Sequence, residues 1–115
     1  SQFLENINTS PELISLAKKT FSPDDDGFED FLLLQYELDQ TDYSATISIF
    51  DANGRPIKQL TQNELLGTSG NIKWDGTNSD NERATMGIYI ILIELVSPDG
   101  IVKQAKLTCV LAGKL

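Results

Sequence analysis

The chain has 115 residues, 40% apolar and 23% charged, and seventeen acids against nine bases give it a formal charge of -8. That is a folded rather than a disordered composition, enough for one domain with a single two-layer core. A surface of this sign repels phosphate backbones and anionic lipid, which argues against nucleic-acid partners and membrane binding. Histidine is absent, so the commonest general base and the commonest zinc ligand are both missing. The single cysteine, Cys109, forms no internal disulfide and reads as a small buried hydrophobe in an alternating strand. No apolar run is long enough to span a membrane as a helix, so no membrane insertion is expected. No basic-then-apolar leader opens the sequence. The expectation is a piece of a longer polypeptide, with any export signal upstream.

Residues 1–11 read as a linker or frayed end, and 12–115 as one domain. Ser10-Pro11-Glu12 carries helix-start signals, whereas Leu13 to Ala17 is short enough for a strand. The β character of everything downstream favours a first strand here. Ser22 to Asp30 follows, a nine-residue loop with five carboxylates and Gly27 in their midst.

Phe31 to Leu38 is the first clear strand, with Leu32, Leu34, Tyr36 and Leu38 on one face. Ser44 to Phe50 alternates likewise, with Ala45, Ile47 and Ile49 inward. Asp51 to Arg55 is a tight turn whose Asn53-Gly54 pair accepts positive φ angles, and Arg55 lies over the hairpin. Pro56 to Leu60 returns as its partner. Thr61 to Gly70 reads as a loop, Asn71 to Trp74 as a short strand, Asp75-Gly76 as a corner and Thr77 to Thr85 as a polar loop. Met86 to Val96 is apolar on both faces, so it is expected to sit centrally or to change its environment along its length, and its stripe is expected to be core. Ser97 to Gly100 is a second turn, and Ile101 to Ala112 the last strand. About seven strands at this spacing predict an all-β fold, an antiparallel two-sheet sandwich of immunoglobulin or fibronectin III type.

The acidic loop is the candidate metal site. Asp24, Asp26 and Asp30 stand at relative positions 1, 3 and 7, with the Phe28 carbonyl at position 5. Calcium takes its ligands from such carboxylates and carbonyls, and all the donors here are hard oxygens. Asp25 and Glu29 face solvent or help, and Asp75, Asp80 or Asn81 would add a ligand if the Trp74 corner folds nearby. The competing explanation is a set of Asx turns with solvated charges, although crowded carboxylates repel one another without a cation. No catalytic residue is assigned. The carboxylates are adjacent on a turn, the serines and threonines have no histidine partner, and no phosphate-loop pattern occurs, so the chain is not expected to be an enzyme. Trp74 is expected in the core; exposed beside Tyr89, it would instead favour a carbohydrate-binding module.

Three blocks in order, FSPDDDGFED, ISIFDANGRPIKQL and IKWDGTNSDNERATMGIYIILIEL, carry a resemblance. Together they resemble the FlgD-type (flagellar hook-capping) immunoglobulin-like domain over Leu13 to Leu115. They look especially like the versions at the C-termini of secreted or surface proteins of Bacteroidetes, often after a lamin-tail-like domain. The resemblance implies a non-catalytic accessory module that spaces, attaches or presents upstream domains of the same polypeptide; calcium, the one cofactor considered, rests on the acidic loop alone. It implies an extracellular, cell-surface or periplasmic location, with other surface proteins or secretion machinery as further partners. The hairpin and Gly-x-Tyr blocks also resemble C-terminal sorting domains of the type IX secretion route. Those domains open with Asn-Pro where this chain has Ser22-Pro23-Asp24, which ranks that alternative second.

Overall fold

In the computed structural model, residues 14–16, 20–21 and 31–112 are described. Among them there is no helix, and eight strands form two sheets. They are β1 (Ile14–Leu16), β2 (Thr20–Phe21), β3 (Leu32–Glu37), β4 (Tyr43–Asp51), β5 (Pro56–Leu66), β6 (Ser69–Trp74), β7 (Gly87–Val96) and β8 (Val102–Leu111). The smaller sheet has the order β1-β3-β6, and the larger the order β2-β8-β7-β4-β5. All pairings are antiparallel except β2 with β8, which is parallel. The expected sandwich is present, and the run from Leu13 resolves into a strand, Ile14–Leu16, rather than a helix. Residues 1–11, expected as a linker, lie outside the described residues.

The period-two pattern of the sequence builds the core directly. Leu32 and Leu34 of β3, Ala45, Ile47 and Ile49 of β4, and Tyr89, Ile91, Ile93 and Leu95 of β7 are all buried, joined by Ala105, Cys109 and Leu111 of β8. Each such large side chain removed from water contributes roughly 1.5–3 kcal/mol. Gly70 of β6 stands opposite Tyr36 of β3, whose ring lies over it. A Cβ there would meet the Tyr36 hydroxyl oxygen at 2.6 Å, so this strand glycine is held by a close approach.

Two expectations need correction. Thr61 to Leu66, read as loop, continues β5. Three register shifts against β4 break the alternation, and Asn63 sits at φ 52°. Each shift inserts a residue opposite β4, so polar and apolar positions no longer alternate and the period-two signal vanishes. The second correction concerns Met86 to Val96, expected to be core throughout. Met86 is 65% and Ile88 55% exposed, while the alternate residues from Tyr89 to Leu95 are buried. β7 is indeed central, between β8 and β4, but among the described residues no layer covers its second face, which looks out of the sandwich.

Candidate functional site

The described part of the molecule is organised around the corner that follows β6. Trp74 is 1% exposed and packs edge-on against Tyr89 with ring centroids 5.3 Å apart, and against Phe21 at 5.4 Å. Three aromatic side chains from β2, β6 and β7 thus close one end of the core. Burial of an indole requires a partner for its N–H, and Nε1 donates to the Thr77 carbonyl at 2.9 Å. The Tyr89 hydroxyl donates to the Thr85 carbonyl four residues upstream, an arrangement like the tyrosine corner of immunoglobulin-type sandwiches. The two bonds tie both ends of the 75–86 loop to the core. Trp74 is core, as expected, and an indole buried this far presents no face for stacking on a sugar.

Polar contacts fasten the same loop to the edge of the other sheet. Lys58 of β5 donates to Thr77 Oγ1 at 2.8 Å and to Asn81 Oδ1 at 3.4 Å, with Asp75 Oδ1 at 4.0 Å. Asp75 Oδ1 accepts from the Thr77 hydroxyl at 2.6 Å and from its amide at 3.1 Å. Burial raises the Asp75 pKa, but the two Thr77 bonds and the Lys58 charge outweigh it and hold the carboxyl below its ordinary value. The Ser79 amide donates to the Ile57 carbonyl at 2.9 Å. Asp75 and Asn81, two of the side chains considered as distant calcium ligands, are therefore turned toward an ammonium group. Asp80 contributes its backbone amide to the turn, donated to Asn78 Oδ1 at 2.9 Å.

That turn recurs. In Asp51–Arg55, Asn78–Glu82 and Ser97–Ile101 the first residue donates its amide to the fifth carbonyl, and the fourth residue donates to the first carbonyl. The first side chain accepts from the fifth amide in all three (Asp51 Oδ1, Asn78 Oδ1, Ser97 Oγ), and the fourth residue lies at positive φ (Gly54 84°, Asn81 63°, Gly100 87°). A three-residue loop of this kind needs one left-handed residue, which glycine or asparagine supplies at low cost. At the first turn only Gly54 uses positive φ, not the Asn53-Gly54 pair as expected. Arg55 lies over the turn as predicted, with Nε 2.9 Å from Asp51 Oδ2. Its backbone amide, then its side chain, and the Asn53 amide hold the Asp51 pKa down against partial desolvation. The Asn78 turn falls within Thr77 to Thr85, where the sequence predicts only a polar loop. Its signal was present, an Asx residue three positions before an asparagine, but no apolar alternation flanks it.

Asp24, Asp26, Phe28 and Asp30, the candidate metal ligands, lie outside the described residues. Among the described residues no three His, Cys, Asp or Glu side chains group closely enough to hold a metal ion. Cys109 is buried, and desolvation pushes its thiol up to about 12.

With the sandwich, its aromatic corner and its hairpin turns in place, the comparisons with known proteins are decisive on family. The sequence model of the FlgD Ig-like domain matches residues 22–99. The chain belongs to the FlgD Ig-like domain family. None of the curated proteins matches it. Solved structures share the fold. FlgD from Xanthomonas campestris aligns with TM-score 0.52 at 21% identity, over 84% of this chain and 62% of that one. CopC from Methylosinus trichosporium OB3b aligns with TM-score 0.53 at 15% identity, over 86% of this chain and 87% of the other. PorZ of Porphyromonas gingivalis, a surface component of the type-IX secretion system, aligns with TM-score 0.56 at 17% identity, over 91% of this chain and 12% of its own. The chain thus spans less than two thirds of FlgD and about an eighth of PorZ. In both, the shared fold is one part of a longer polypeptide.

Proposed function

We propose that this FlgD Ig-like domain is a non-catalytic accessory module of a secreted or cell-surface bacterial protein, spacing, attaching or presenting the other domains of its polypeptide. The observation that carries this proposal is family membership combined with the corner. The hydrogen-bonding side chains of the corner, Trp74, Tyr89, Lys58 and Asp75, all bond within the sandwich and its loop. The extracellular or periplasmic location is supported by the likeness to PorZ, described as an essential bacterial surface component of the type-IX secretion system. The test is a fusion of residues 1–115 to the C-terminus of a signal-bearing reporter in a Bacteroidetes host. An accessory module leaves the reporter in the periplasm. Delivery of the reporter to the surface would instead establish the second reading, a sorting domain read by a type IX-like system, which the Asp51–Arg55 hairpin block and the PorZ likeness favour.

Calcium bound by Asp24, Asp26, the Phe28 carbonyl and Asp30 is part of the proposal, supported by five carboxylates within nine residues. Millimolar calcium should raise the melting temperature and chelator should reverse the rise. A melting temperature indifferent to both removes calcium from the proposal and leaves the accessory role standing.

A further inference from the structure

We infer that Asn53 is a site of spontaneous covalent modification, converted through a cyclic imide with Gly54 into aspartate and isoaspartate. Asparagine is a chemically labile residue, and its side chain closes on the next backbone nitrogen most readily when glycine supplies that nitrogen, because no Cβ crowds it. Asn53 is the one asparagine of the chain that precedes a glycine. It lies at the tip of the Asp51–Arg55 turn between β4 and β5, where both Asn53 and Gly54 are exposed. Beyond its chain neighbours, no atom comes within 4 Å of a Cβ built on Gly54, so nothing packed against the turn hinders the approach. Among the described residues only the backbone amide of Asn53 is engaged, donated to Asp51 Oδ1 at 2.9 Å, and its carboxamide is left to solvent.

The step needs no reagent but water. Hydroxide removes the Gly54 amide proton, the nitrogen bonds to Asn53 Cγ, and the Cγ–Nδ2 bond breaks. The side-chain nitrogen takes a proton from water and leaves as ammonia. Water then opens the ring, at Cγ to give aspartate or at the Asn53 backbone carbonyl to give isoaspartate. Either product places a new carboxylate beside Asp51 and Arg55. Isoaspartate also adds a methylene to the main chain, in a three-residue loop that closes only with Gly54 at φ 84°.

The turn slows this chemistry and confines it. The Gly54 amide donates to the Asp51 carbonyl at 3.0 Å, and the nitrogen must leave that bond to attack, a local opening of an exposed loop tip. Asn78 and Asn81 precede Ser79 and Glu82, whose amides are bonded to the Ile57 carbonyl and to Asn78 Oδ1. Asp99-Gly100 occupies the same two places in the Ser97–Ile101 turn. A carboxylate is a poorer electrophile than a carboxamide, so Asp99 serves as the internal control.

The test incubates residues 1–115 beside a synthetic peptide of residues 48–60 at mildly alkaline pH, with peptide mass mapping and isoaspartyl methyltransferase labelling as readouts. Asn53 is expected to convert before every other asparagine and before Asp99. Its rate should be about 5-fold below that of the peptide, the factor that corresponds to releasing one hydrogen bond of about 1 kcal/mol. The rate should rise with hydroxide concentration. Asn53→Gln should remove the signal from this turn, and Gly54→Ala should slow conversion in protein and peptide alike, which separates crowding of the nitrogen from strain in the turn. An intact Asn53 after the peptide has fully converted, earlier conversion of another asparagine, or a rate indifferent to hydroxide would overturn the inference. A protein rate equal to that of the peptide would overturn the brake assigned to the Gly54–Asp51 bond.

Discussion

Lys58, on the edge strand of one sheet, donates a 2.8 Å hydrogen bond to the Thr77 hydroxyl in the corner that ends the other. Thr77 in turn donates to Asp75, so a basic side chain, a hydroxyl and a carboxylate form a chain across the side of the sandwich. Lys58→Ala removes the donor and leaves the Thr77 and Asn81 oxygens to water. A loss of about 1 kcal/mol in urea unfolding is expected, since the site is only partly screened from solvent. The same variant should weaken the acid dependence described next.

Asp39, Asp51 and Asp75 all have pKa values held below the ordinary aspartate value. The causes are the Tyr43 hydroxyl, the Arg55 amide, and Thr77 and Lys58 acting against burial, respectively. A group whose folded pKa is depressed contributes stability above its unfolded pKa and loses it as pH falls through the folded value. Unfolding free energy should therefore be level near neutrality and decline below about pH 4. At the alkaline end Lys103 behaves oppositely. The Tyr43 hydroxyl and the Asp39 carboxylate raise its pKa, so its contribution is complete below the ordinary lysine value and disappears as pH rises past it. Denaturant melts across pH check both limbs.

The recurring turn predicts separable glycine effects. Gly54 and Gly100 lie at positive φ with no atom within 4 Å of a built Cβ, so substitution there meets strain and no clash. Gly54→Ala and Gly100→Ala should each destabilise by about 1 kcal/mol. The turns join different strand pairs, so the double variant should be additive within about 0.5 kcal/mol. Chemical denaturation of the three variants gives the answer directly.

Trp74 is the one tryptophan of the chain, which makes its fluorescence a report on the corner. The native protein should emit at short wavelength and resist quenching by iodide. Trp74→Ala should cost about 3–5 kcal/mol through the cavity left between Phe21 and Tyr89. Easy quenching in the native state would contradict the packing.

Cys109 combines burial with a thiol raised to about 12. Thiolate is the reactive form, so labelling by a disulfide reagent at neutral pH should follow global unfolding. A labelling rate that ignores denaturant below the unfolding transition would show local opening of β8.

Much of the sandwich was legible because its causes are local. Alternation in β3 and β4 assigned the inward faces, Gly54 and Gly100 marked two turns, and the spacing of short strands implied two sheets. The extent of β5 was hidden because its register shifts destroy alternation, and the Asn78 turn was hidden because polar residues flank it. The candidate calcium loop was conspicuous for the opposite reason, a local density of charge that no neighbour is needed to see.

Sequence periodicity and turn chemistry were sufficient for the fold class and the buried sides of β3 and β4, and three motif blocks carried the resemblance to the family, since each depends on residues a few positions apart. Tertiary structure alone decided that Ile88 faces solvent while Tyr89 closes the core, and that Lys58 reaches Thr77. Those outcomes depend on which strands lie beside one another and on what covers each sheet, and residues far apart in the chain decide both.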